Sequence, residues 1–141
     1  YVDVIPNSIV LAQAANESGW GTSRFATEFN AFFGEYTFDT RYGVVPTYRD
    51  SGEKYLIKFF SAMNESVISY FRNLNTHPAY KEFRETRKNL RNNNLSIDPL
   101  NLIKYLKPYA KDQNYIKTIE SIIKTNNLIQ FDKIRIITRK S

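Results

Sequence analysis

The chain has 141 residues, 42% hydrophobic and 15% aromatic, with no Cys, one His, and 20 Lys plus Arg against 14 Asp plus Glu. That length can bury a substantial core, and a composition near the soluble average excludes a disordered, collagenous or disulfide-scaffold chain. Without Cys there is no thiol nucleophile or Cys-based zinc site. The lone His77 weighs against a His-rich metal centre or a Ser-His-Asp triad, and no apolar run reaches the roughly 18 residues of a membrane span. The chain opens at Tyr1 with no signal-like stretch, which reads as a processed or trimmed piece of a longer protein. Residues 1–80 carry 6 basic and 8 acidic side chains and residues 81–141 carry 14 and 6, so the positive charge belongs to the C-terminal part. A basic half suits a polyanionic partner, or is only a solvated helix face.

In chain order, Asn7 or Ser8 caps a buried helix over Ser8–Ser18, which stops at Gly19. A shorter amphipathic helix starts near Thr22 or Ser23, with Phe25 and Phe29 one turn apart. Residues 44–59 carry the one clear β pattern: Val44, Val45 and Tyr48, then Tyr55, Ile57 and Phe59, flank an Asp50-Ser51-Gly52 hairpin turn. From Ser61 the period is helical, with Met63, Val67, Tyr70, Phe71 and Leu74 on one face and a break over Asn73–Pro78. Pro78 opens a helix expected to carry Phe83 and Leu90 inward and Arg84, Arg87, Lys88 and Arg91 outward, ending at Asn92-Asn93-Asn94. Asp98-Pro99 caps a helix through Leu102, Ile103 and Leu106 that Pro108 stops. A last strong helix spans about Gln113–Lys124, and beyond Asn127 a tail alternates around Ile134, Ile136 and Ile137 to Arg139-Lys140. The expected organisation is one domain over 1–128 and a basic tail over 129–141.

Glu17 stands out because helical spacing places it on the stripe of Val10 and Ala14. Its helix ends two residues later, where the dipole disfavours a carboxylate, and Trp20 and nearby Phe residues offer a poorly solvated wall. Both effects push the carboxyl toward staying protonated near neutral pH, which is what a general acid needs to protonate a glycosidic oxygen. On spacing alone, a Glu paired with a basic residue from another segment is the favoured reading.

The run Gln13-Ala14-Ala15-Asn16-Glu17-Ser18-Gly19-Trp20-Gly21-Thr22-Ser23-Arg24-Phe25-Ala26 closely resembles the signature of the bacterial peptidoglycan glucosaminidase family, in particular its Bax-like branch. The likeness continues through Phe33-Gly34, Gly43-Val44-Val45-Pro46, Ser66-Val67 and Asn73-Leu74-Asn75-Thr76-His77-Pro78-Ala79-Tyr80 to Phe83-Arg84 and Arg87, covering most of residues 4–127. The resemblance implies a mainly α, lysozyme-like α+β fold in which a small β-hairpin lobe flanks a substrate groove. It also implies cleavage of the peptidoglycan glycan strand after N-acetylglucosamine, with no metal or organic cofactor, in the cell envelope, periplasm or extracellular space. The family's catalytic acid falls on Glu17. Tyr115 resembles the tyrosine that faces it, with Tyr109 a second candidate. Phe33 and Gly34 resemble the motif lining the groove, and Trp20 and Tyr36 join Tyr109 as aromatic candidates for sugar contacts.

Two departures bear on mechanism. Where the family often has Asn directly before the hydrophobic-Phe-Gly triplet, this chain has Ala31, and Asn stands one earlier at Asn30. Where some relatives carry a hairpin Glu, this chain reads Pro46-Thr47-Tyr48, leaving Glu35, Asp50 and Glu53, each expected to be a solvated charge. With no second carboxylate assignable, the substrate's own 2-acetamido group is the expected nucleophile, with Tyr115 orienting it. His77 is expected to cap or hydrogen-bond rather than catalyse. Two other readings stand beside this one: a muramidase or lytic transglycosylase on the same fold, and an inactive module that binds a polyanion or the cell wall. Nucleic acid is not the expected partner, since no nucleic-acid motif accompanies the basic helix face. Neither the peptide stem's amide bonds nor an oligomeric state is indicated.

Overall fold

A computed structural model describes residues 2–134. They fall into two compact units, one of residues 13–77 and one of residues 2–12 with 78–134. The elements are α1 (Asn7–Ser18), α2 (Arg24–Phe29), β1 (Tyr36–Thr37), β2 (Gly43–Val44), β3 (Leu56–Lys58), α3 (Met63–Thr76), α4 (Lys81–Asn92), α5 (Pro99–Leu102) and α6 (Tyr115–Thr125), with 3-10 turns at Pro78–Tyr80, Ile103–Tyr109 and Leu128–Lys133. The fold is mainly helical with one small antiparallel sheet, as expected.

In residues 13–77 the short α2 forms because the Ser23 hydroxyl accepts the Ala26 N–H, and it ends because Asn30 takes the left-handed conformation, φ +53°. Asn30 also donates from Nδ2 to the Phe60 carbonyl at 3.1 Å, so the shifted Asn serves as a helix cap that ties α2 to the strand end. The expected hairpin is present, with Val44 opposite Ile57 and Gly43 opposite Lys58, and its turn closes through the Glu53 N–H on the Asp50 carbonyl at 3.1 Å. Sequence reading missed β1, which pairs on the other side of β3 with Tyr36 opposite Ile57, giving the order β1-β3-β2. Helix α3 buries Ser66, Tyr70, Leu74 and Asn75. Met63, placed on that face by the sequence pattern, is 56% exposed. The helix also runs past Asn73 to Thr76, where the His77 N–H caps it on the Asn73 carbonyl at 2.9 Å.

The other unit packs Phe83, Leu102, Ile103, Leu106, Ile119 and Ile123 at 1% exposure or less. Asp98 caps α5 by accepting the Leu100 N–H, and Pro99 occupies its first turn as read from the sequence, but Pro108 lies inside the following 3-10 turn rather than ending it. Arg87 corrects an expectation. Placed outward by the charge pattern, it is fully buried, and its Nη1 donates to the carbonyls of Asp3 (3.1 Å) and Val4 (3.0 Å). Arg91 pairs with the Asp3 carboxylate at 3.0 and 3.2 Å. The segment read as a basic tail begins in the 3-10 turn Leu128–Lys133. Leu128 is buried, and the Asp132 carboxylate accepts both the backbone N–H and the hydroxyl of Ser8 at 2.7 Å. The alternation expected around Ile136, Ile137 and Arg139-Lys140 lies outside the described residues.

Candidate active site

Helix α1 delivers Glu17 to its last turn, and the chain then reverses through three consecutive left-handed residues, Gly19 (φ +57°), Trp20 (+57°) and Gly21 (+79°). The turn is held from inside: the Ser18 hydroxyl donates to the Ala14 carbonyl at 2.6 Å and accepts the Gly21 N–H at 2.9 Å, and the Trp20 N–H reaches the Ala15 carbonyl at 2.8 Å. A positive φ is strained for a bulky residue, on the order of 1–3 kcal/mol, and persists where surrounding bonds impose it. The result at Trp20 is an indole left 62% exposed two residues past Glu17's turn.

Glu17 is half-buried, and its carboxyl lies against the backbone of Gly34. A Cβ at position 34 would stand 2.8 Å from Glu17 Oε2, nearer than any carbon normally comes, and Gly34 also holds φ +65°. Position 34 therefore needs glycine twice, for its conformation and for the room it leaves the carboxyl.

Phe33 fixes that glycine from below. Its ring is 3% exposed and stacks on Tyr70 at 4.1 Å and 18°, and the Tyr70 hydroxyl donates to Gln13 Oε1, with Gln13 and Tyr70 both fully buried. Phe33, a sequence candidate for substrate contact, is thus a core residue that supports Gly34, while the backbone of Gly34 faces Glu17. Tyr36 follows on β1, is 64% exposed and packs against Tyr55 at 4.7 Å. Partial burial, then Tyr55 and the Glu17 charge, push its phenol above its ordinary value.

Of the three carboxylates weighed as second groups, Asp50 and Glu53 are exposed as expected. Glu35 is not: burial, against the Ser69 hydrogen bond and the Lys58 charge, raises its pKa above the ordinary carboxylate value. Gln13, Tyr70, Glu35 and Ser69 escaped sequence reading as supports of the site. Gln13 and Tyr70 are 57 residues apart, so only tertiary structure brings them together.

Glu17, Trp20, Gly34 and Tyr36 belong to residues 13–77, whereas Tyr109 and Tyr115 belong to the other unit. There Tyr115 is 3% exposed at the start of α6, and its ring lies parallel to that of the half-buried Tyr109 at 5.8 Å and 4°, with Tyr80 beyond at 6.3 Å from Tyr109. Among the described residues no three His, Cys, Asp or Glu side chains are grouped so as to hold a metal ion, and no helix is long and apolar enough to cross a membrane.

Comparison with known proteins places the whole chain rather than its individual side chains. The chain matches the family described as mannosyl-glycoprotein endo-beta-N-acetylglucosaminidase over residues 2–128. It is 41% identical over 115 residues to Protein bax of Escherichia coli strain K12, covering 81% of this chain and 40% of that protein, so it spans well under half the length of that relative. Among solved structures it resembles the catalytic domain of the autolysin Auto from Listeria monocytogenes, with TM-score 0.65, 23% identity, and 89% and 74% of the two chains covered. It also resembles an N-acetylmuramoyl-L-alanine amidase from Staphylococcus aureus, with TM-score 0.69, 26% identity, and 95% and 39% covered. On the family match across nearly its whole length, this chain belongs to the glucosaminidase family, on its Bax-like side.

Proposed function

We propose that the chain is a peptidoglycan hydrolase that cuts the glycan strand after N-acetylglucosamine, at the bacterial cell envelope or outside the cell, with Glu17 as general acid. The observation that carries this reading is the Glu17 carboxyl set against the left-handed Gly34, with Glu17 inside the family's own signature and with Trp20 and Tyr36 of the same unit left exposed. Such a carboxyl can give its proton to the leaving glycosidic oxygen. In the route that needs no second protein carboxylate, the acetamido oxygen of the substrate attacks the anomeric carbon as that bond breaks, forming a cyclic oxazolinium. Water then adds to the anomeric carbon and returns a proton to Glu17. Tyr115 is assigned to orient the acetamido group or the water, and Trp20, Tyr36 and Tyr109 to present ring faces or hydroxyls to the sugars.

The test is digestion of purified sacculi by wild type and Glu17→Gln, with the reducing-end sugar identified by mass spectrometry. N-acetylglucosamine ends are expected from wild type, and a loss of roughly 100-fold or more from the variant with an unchanged melting temperature. Muramic-acid or anhydro ends would reassign the bond to a muramidase or lytic transglycosylase. Wall binding without any cleavage at any pH would make the chain a binding module. Free stem peptide would indicate amide cleavage, the activity in the name of the Staphylococcus aureus neighbour.

A further inference from the structure

Glu35 lies between Gly34, where a Cβ would stand 2.8 Å from Glu17 Oε2, and Tyr36, whose phenol the Glu17 charge helps to push up. Its own carboxyl is turned inward. Oε2 accepts a 2.6 Å hydrogen bond from the Ser69 hydroxyl on α3, while Oε1 is buried with no hydrogen-bond partner among the described residues. The Glu35 carbonyl accepts the Lys58 N–H at 2.8 Å, so main chain and side chain fasten one residue to β3 and to α3 at once. A hairpin charge with no task would turn to water, because leaving a buried polar oxygen unpaired costs stability.

We propose that Glu35 is a positioning residue: through Ser69 it anchors the Gly34–Tyr36 segment to α3 and thereby fixes where the Glu17 carboxyl sits. This rests on the reading of Glu17 as the general acid. The anchor does not call for a charge, since one hydroxyl meets one oxygen and the other oxygen meets no donor, an arrangement that suits a neutral carboxyl or an amide. The groups facing it agree with this. Ser69 from α3 and the Lys58 cation from β3 both favour the ionised form, yet burial outweighs them and the pKa is raised; the Glu17 carboxyl from α1 lies near Gly34, the residue before Glu35, and Tyr36 is the residue after it. With a raised pKa, the folded protein holds this proton more tightly than the unfolded chain does. Its contribution to stability is therefore complete below the ordinary value of 4.5 and is lost as pH rises through the folded value.

The experiment compares wild type with Glu35→Gln, Glu35→Ala and Ser69→Ala, reading kcat, KM and melting temperature across acid to neutral pH, together with an NMR titration of the carbon-13-labelled Glu17 carboxyl. Glu35→Ala and Ser69→Ala should lower kcat about 10-fold to 100-fold, change KM by less than about twofold and move the Glu17 titration, the effect of a small displacement of a reacting group. Glu35→Gln, which keeps shape and hydrogen bonding, should hold kcat within about threefold, leave the Glu17 titration in place and remove the fall in melting temperature above the ordinary carboxylate range. A Glu17 titration unmoved by Glu35→Ala overturns the proposal, as does a Glu35→Gln variant as impaired as Glu35→Ala, which would show that the anion itself is needed. Wild type that cleaves no peptidoglycan rejects the reaction rather than the anchor, and the Glu17 titration then decides the anchor alone.

Discussion

The two units each bury an ionisable side chain and tie it to different kinds of partner. In the helical unit, Arg87 is 0% exposed, donates to two backbone carbonyls near the N-terminus of the chain, and lies with its guanidinium 5.7 Å from the Phe83 ring. Beside it, burial works against the Asp3 carboxyl, yet the Arg91 hydrogen bond, the Val4 N–H and the Arg91 and Arg87 charges hold it below its ordinary value. In residues 13–77, Glu35 has one hydroxyl donor and one buried oxygen without a partner. A buried charge that donates to two backbone carbonyls more than eighty residues away in sequence is scaffold, since it joins distant segments. A buried carboxyl supplied with one bond, next to the residues that contact Glu17, belongs to the setting of a site. The charge of the sequence divides the same way, with 14 basic and 7 acidic residues in the helical unit and its adjoining ends against 6 and 7 in residues 13–77.

The strongest way to break this contrast is Arg87→Ala. It leaves the Asp3 and Val4 carbonyls without their donor and should cost about 3–5 kcal/mol in urea unfolding, whereas Arg87→Met should recover much of that loss. Equal stability of the Ala variant would remove Arg87 from the scaffold.

Next comes Gly34→Ala, which places a Cβ 2.8 Å from the Glu17 carboxyl and forces an alanine to φ +65°. It should cost about 1–2 kcal/mol and lower kcat by roughly 10-fold to 100-fold, and a variant that melts lower but turns over normally would detach Gly34 from the acid. Tyr115→Phe keeps the buried ring stacked on Tyr109 and removes only the hydroxyl. Under the proposed mechanism, turnover should fall about 10-fold or more, while Asp50→Asn and Glu53→Gln each keep most activity. A hairpin variant as inactive as Glu17→Gln, with Tyr115→Phe active, would point to two carboxylates. The smallest expected effect is at Asp132. Asp132→Ala should cost roughly 1 kcal/mol, the usual worth of a helix cap, whereas removal of residues 135–141 should change the melting temperature less.

What was legible in the sequence followed from local rules. Gly19 and Ser23 bound α1 and α2 because a left-handed stop and a hydroxyl cap act over a few residues, and the Glu17 stripe follows from helix period alone. The Arg87 error was avoidable: Phe83, Arg87 and Leu90 stand at i, i+4 and i+7, so helical spacing already puts Arg87 on the buried face, and only the weight given to its charge turned it outward. Strand β1 was not legible, because two residues carry no period and Tyr36-Thr37 becomes a strand only by pairing with β3. The same holds for the Phe33, Tyr70 and Gln13 support and for Glu35 with Ser69, each assembled from segments tens of residues apart, where no spacing rule reaches.

The Ser8–Asp132 contact has a consequence in time. The first turn of α1 exposes N–H groups that no residue within the helix can satisfy. Here the Asp132 carboxylate takes the Ser8 N–H and hydroxyl, and the Asn7 side chain donates to the Phe131 carbonyl, across 124 residues of sequence. A ribosome makes Ser8 more than a hundred residues before Asp132, so during synthesis the Ser8 N–H, in the helix that carries Glu17, waits for its carboxylate while everything between is made. The start of that helix is completed only when the polypeptide is long enough to fold back on it, and a chain terminated before residue 131 lacks both partners.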